Sequence, residues 1–61
     1  MNTFAVTFQQ TNQGKLYASM EVKPGRFIIT WGYTMDEAKD WMKQAIRFRT
    51  GLLYRNILLV D

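Results

Sequence analysis

The chain has 61 residues, 48% of them hydrophobic and 15% aromatic, with a formal net charge of +3 from eight basic and five acidic side chains. That length holds one small domain with a stability of roughly 3 to 9 kcal/mol and excludes a second domain or a deep substrate cavity, so function is expected on the surface. With no cysteine, no histidine and Ser19 as the single serine, neither a disulfide, a thiolate metal site nor a Ser-His or Cys-His nucleophile can be assembled.

These exclusions lead to the expectation of a non-enzymatic protein with no cofactor and no metal. Nothing has the length of a transmembrane span or the pattern of a secretory leader, and the absence of cysteine fits a reducing compartment, so a cytoplasmic location and no membrane partner are expected.

From Thr3 to Gln9 the chain alternates Phe4, Val6 and Phe8 with Thr3, Ala5 and Thr7, the period-two signature of a half-buried first strand. Gln10 to Gly14 reads as a hairpin loop. A second strand, about Lys15 to Val22, alternates Leu16, Ala18, Met20 and Val22 with Tyr17, Ser19 and Glu21, and placing Phe8 opposite Leu16 continues the apolar face. Lys23-Pro24-Gly25-Arg26 reverses the chain into a third strand from Arg26 to Tyr33. Thr34-Met35-Asp36-Glu37 then has the form of a capping box. The helix that follows carries an apolar stripe of Ala38, Trp41, Met42, Ala45, Ile46 and Phe48, acidic residues in its first turn and Lys43, Arg47 and Arg49 near its end, with Gly51 placed to stop it. Tyr54 to Val60 ends in Ile57-Leu58-Leu59-Val60, apolar on both faces, which predicts a shielded last strand.

The element order β-β-β-α-β predicts an α+β domain: one helix packed on one face of a four-stranded mixed sheet in the spatial order 3-2-1-4, the last strand beside and parallel to the first. Placement of that strand beside the third is the competing topology.

Pairing outward from the second turn sets Val22 opposite Phe27, Met20 opposite Ile29, Ala18 opposite Trp31 and Leu16 opposite Tyr33, an all-apolar core side. The other face then holds Tyr17, Ser19, Glu21, Ile28, Thr30 and Gly32, small, hydroxyl-bearing and almost uncharged, with the Tyr17 ring lying across the bare backbone of Gly32. Trp31 and Trp41 are assigned to the core rather than to base stacking. Asp36, Glu37 and Asp40 cluster at the helix start, where capping and the helix dipole account for them without a metal ion.

Tyr17, Ser19, Ile28 and Thr30 are therefore the candidate partner-binding residues, with Arg47 and Arg49 at the periphery. The leading expectation is an inhibitor or adaptor that occupies the surface of a larger protein or complex and acts by steric occlusion. The alternative is a basic nucleic-acid-binding module using Lys39, Lys43, Arg47, Arg49 and Arg55. A homodimer through free faces or exposed edges is a third arrangement.

Thr30-Trp31-Gly32-Tyr33-Thr34-Met35-Asp36-Glu37-Ala38 resembles the strand-to-helix signature T-x-G-x-T-x-x-E-A of HicB-type antitoxins, with looser similarity from Phe4 through Ile46. Lys23-Pro24-Gly25 stands where that family has a longer segment. The run Lys15 to Glu21 followed by Thr34 to Ala38 is similar to small phage proteins that bind and block bacterial RNA polymerase. Both resemblances imply a compact protein that occupies another protein's surface. The second implies a phage or mobile-element source, a host machine as target and the host cytoplasm as location.

Overall fold

Strong alternation at the start of the chain gives two short strands with different partners rather than one. In the computed structural model, which describes Met1–Asp61, β1 (Asn2–Ala5) pairs in parallel with β5 (Ile57–Val60), whereas β2 (Thr7–Gln10) pairs antiparallel with β3 (Leu16–Lys23), which pairs with β4 (Arg26–Gly32). The four-stranded mixed sheet expected from the sequence is thus replaced by a two-stranded and a three-stranded sheet. The division falls at Val6, whose N–H still donates to the Val60 carbonyl at 2.7 Å while its side chain is buried. Beyond Val6 the chain turns to β3, since one short twisted strand cannot follow neighbours that diverge on its two sides. Alternation survives the break: Phe4, Val6 and Phe8 face inward, Thr3, Ala5 and Thr7 outward.

In the first hairpin Phe8 lies opposite Ala18 rather than Leu16. The loop is tighter than expected, because the Thr11 N–H donates to the Lys15 carbonyl at 2.8 Å and Gly14 takes φ 82° to let the chain return. A slip of two residues leaves every side chain on its expected face.

The second hairpin has the larger consequence. Lys23 lies opposite Arg26 as expected, but Val22 is an extra residue in β3, so the ladder continues Glu21–Phe27, Met20–Ile28, Ser19–Ile29, Ala18–Thr30, Tyr17–Trp31 and Leu16–Gly32. This β-bulge inverts the expected facing of β4: Ile28, Thr30 and Gly32 turn to the helix, and Phe27, Ile29 and Trp31 turn away. Its physical cause is in the turn. Pro24 followed by Gly25 at φ 79° suits a type II turn, whose twist splays a two-residue hairpin, and a bulge adds the missing right-handed twist.

The helix α1 (Met35–Thr50) begins where Thr34 Oγ1 accepts from the Glu37 N–H at 3.1 Å and Glu37 Oε1 accepts from the Tyr33 N–H at 3.0 Å. It ends at Gly51, φ 76°, whose N–H donates to the Arg47 carbonyl at 2.8 Å. Ala38, Met42 and Ile46, four apart, form its buried stripe. Trp41 and Phe48, expected in that stripe, are exposed. Phe48 is two residues past Ile46, about 200° round the helix, and Trp41 lies on the flank over the β4 side.

The core is Val6, Ala18, Ala38, Met42, Ile46 and Ile57, ringed by Phe4, Phe8, Leu16, Met20, Ile28, Leu52 and Leu59. A 3-10 turn, Tyr54–Asn56, leads into β5, where Ile57 alone is fully buried and Leu58 and Val60 are exposed, so the expected shielding does not hold for a strand paired only with β1. No helix is long and apolar enough to cross a membrane.

Candidate functional site

Cross-strand pairing arranges the outer face of the antiparallel sheet in rows. Thr7, Ser19 and Ile29 form one row, Gln9, Tyr17 and Trp31 the next, and Glu21 stands opposite Phe27. Hydroxyls and amides occupy the β2 side and large apolar groups the β4 side. Ile29 is 64% exposed, Phe27 58% and Trp31 45%, and just past the strand Tyr33 is 63% exposed. Tyr33 meets Trp31 edge-on, with ring centroids 5.5 Å apart and planes at 87°. The Lys15 ammonium sits 4.8 Å over the Trp31 ring. The carboxylate of Glu21 accepts from the Gly25 N–H at 3.1 Å, which holds it against the turn and away from the centre of the face.

Of the residues singled out in the sequence, Tyr17 and Ser19 lie on this face. Ile28 and Thr30 do not, because the bulge at Val22 turns them inward. Ile28 packs against the core, and the Thr30 hydroxyl donates to the Ala38 carbonyl at 3.2 Å, tying the helix to the sheet. Arg47 and Arg49 lie in the last turn of α1, in the other layer. Arg47 lines a shallow hollow with Leu53, Tyr54 and Arg55, and Arg49 lines another with Phe4, Met20 and Thr50.

Gly32 also has a role different from the expected one. It lies opposite Leu16, not Tyr17, and a Cβ there would come within 2.8 Å of the Glu37 Cβ, so its bareness admits the helix start and not an aromatic ring. Phe27, Ile29, Trp31 and Tyr33 are the face residues that alternation missed. The signal for them was Pro24-Gly25, a pair that suits a type II turn and therefore calls for a bulge beside it.

Of the cations of the nucleic-acid reading, Lys43, Arg47 and Arg55 gather about Tyr54 on the helix layer, away from the outer face, whereas Arg49 lines a separate hollow. Lys39 sits 5.9 Å over the Phe8 ring and Lys43 5.0 Å over the Tyr54 ring. Asp40 accepts from the Tyr54 hydroxyl at 2.5 Å, and this hydrogen bond, then burial, then the carboxylate charge raise the phenol pKa above its ordinary value. At the free edge of β4, Thr30, Trp31, Glu37 and Trp41 line a hollow of about 390 Å³.

No family model, curated protein or solved structure matches the chain. The outer face presents exposed apolar side chains flanked by hydroxyl and amide groups.

Proposed function

We propose that this protein is a non-enzymatic binding module that presses the outer face of its antiparallel sheet onto an apolar patch of a larger protein and blocks that surface sterically. The observation that carries this reading is the run Phe27, Ile29 and Trp31 along one strand, with Tyr17 and Tyr33 beside it, all turned away from the core. Monomers rarely leave so many adjacent aromatic and aliphatic side chains in water, and such groups are the usual anchors of protein interfaces. Lys15 over Trp31 favours a carboxylate at that end of the partner's patch. The resemblance to small phage inhibitors supports a mobile-element origin and a host machine as the target, and that to HicB-type antitoxins a compact protein that occupies another protein's surface.

Tyr17 and Trp31 also have the flat rings that stack on bases. Protein is favoured over nucleic acid because the cations needed to follow phosphates are not gathered along this face: Lys39, Lys43, Arg47 and Arg49 belong to the helix.

Capture from a nuclease-treated bacterial lysate tests the reading, with three folded baits compared by circular dichroism and mass spectrometry. Tyr17→Glu/Phe27→Glu is expected to lose at least about tenfold of the partner retained by the unaltered chain. Arg47→Glu/Arg49→Glu is expected to retain it. Equal retention by the face variant overturns the proposal, and so does binding confined to single-stranded oligonucleotides that collapses with added salt.

A further inference from the structure

Edge strands are ordinarily kept from pairing by lysine, proline or a bulge in the strand itself. The strand β4, paired only with β3, has none of these within Arg26-Phe27-Ile28-Ile29-Thr30-Trp31-Gly32, its one charged residue being Arg26 at the turn end and the bulge of this hairpin lying in β3. Its sequence is moreover complementary to itself. A two-fold axis perpendicular to the sheet pairs residues that share a face, and the one register that uses the whole strand is centred on Ile29. That register sets Ile29 against Ile29, Phe27 against Trp31 on the outer side, and Ile28 against Thr30 and Arg26 against Gly32 on the helix side.

The last pair supplies charge complementarity. Arg26 faces Lys23 across its own hairpin, a like-charge pair that costs stability where it stands. Across the axis, Gly32 is the residue on which Glu37 rests, and Glu37 lines the edge hollow together with Thr30, Trp31 and Trp41. On the helix side of the edge, the Trp41 indole and the Glu37 carboxylate are the chemistry that receives a guanidinium, by stacking and by ion pairing.

We propose that two copies of this chain associate by antiparallel pairing of β4 with β4 about Ile29, each lodging its Arg26 in the hollow formed by Thr30, Trp31, Glu37 and Trp41 of the other copy. The product is a six-stranded antiparallel sheet whose outer aromatic face runs unbroken across the axis. The inference stands apart from the identity of any other partner, because it concerns the edge of the sheet and leaves the outer face open.

Sedimentation equilibrium of the full chain over a wide concentration range tests it. The unaltered chain is expected to dimerise. Ile29→Lys, which sets two ammonium groups against each other on the axis, is expected to raise the dimer Kd by at least about tenfold. Arg26→Glu alone and Glu37→Arg alone each place like charges at both hollows and are expected to weaken association about three- to tenfold, whereas mixing the two restores it as a heterodimer. Should Glu37→Arg fail to fold for loss of its cap, Trp41→Ala, which removes one wall of the hollow, is expected to weaken the dimer in its place. A monomer at every concentration overturns the proposal, as does a dimer indifferent to Ile29→Lys. Tyr17→Glu alone is expected to leave the dimer intact while weakening partner capture, which separates this result from the outcome for the outer face, because Phe27 faces Trp31 across the axis and the double variant acts on both.

Discussion

A Cβ built on Gly32 would sit 2.8 Å from the Glu37 Cβ and 2.9 Å from the Ala38 amide nitrogen, whereas at Gly25, with φ 79°, it would meet nothing. The two glycines answer different needs: Gly25 a left-handed turn residue, Gly32 a close approach of helix to sheet. Because the Ala38 nitrogen is backbone, Gly32→Ala displaces the first turn of α1. The unfolded-state gain of an alanine, about 0.4 to 1 kcal/mol, does not offset overpacking of about 1 to 3 kcal/mol. Thermal denaturation is expected to show a midpoint lower by several degrees, at roughly 4 to 8 °C per kcal/mol for a domain of this size. An unchanged midpoint would mean that the helix start has room to spare. In the sequence this glycine is visibly isolated, but its neighbour is set by the packing of α1 on β4, which no local pattern encodes.

At the scale of elements, what the sequence makes legible is what neighbouring residues decide. Thr34 and Glu37 are three residues apart and Gly51 follows the helix directly, so both ends of α1 can be read without the sheet. The facing of β4 rests instead on one bulged residue, Val22, and both alternate sets of that strand contain large apolar groups, so periodicity favours Phe27, Ile29, Trp31 and Tyr33 as core for want of a twist argument. Half of the candidate face was displaced by that single residue. The adjacent pair Ile28 and Ile29 tests the register directly. Ile28→Asp, with its carboxylate aimed at the core, is expected to cost about 2 to 4 kcal/mol in urea denaturation at concentrations where the chain is monomeric, and Ile29→Asp, on the outer face, about 1 kcal/mol or less. The reverse ranking would mean that the ladder runs without the bulge.

On the scale of the whole molecule, the two sheets share one core through Val6 and Ile57, and the chain reaches β5 only by way of α1 and the 3-10 turn. The hydrogen bond from Tyr54 to Asp40 ties that turn back to the helix, with the Lys43 ammonium over the same ring. Its stability contribution has a definite pH dependence. The Tyr54 phenol titrates higher in the folded chain than its ordinary value of 10.0, so folding is favoured by the protonated form. The contribution is fully present below pH 10.0 and is lost as pH rises through the raised folded value, when two anions face each other. The informative quantity is the difference between the unaltered chain and Tyr54→Phe. Urea midpoints are expected to favour the unaltered chain by under about 1 kcal/mol near neutral pH, the hydrogen bond being solvent-accessible. That advantage should shrink to nothing at strongly alkaline pH. A difference that stays constant across the titration would mean that the bond adds nothing to stability, since the phenolate has no proton to donate, and that the crossover is held by Leu52 and Ile57 packing alone.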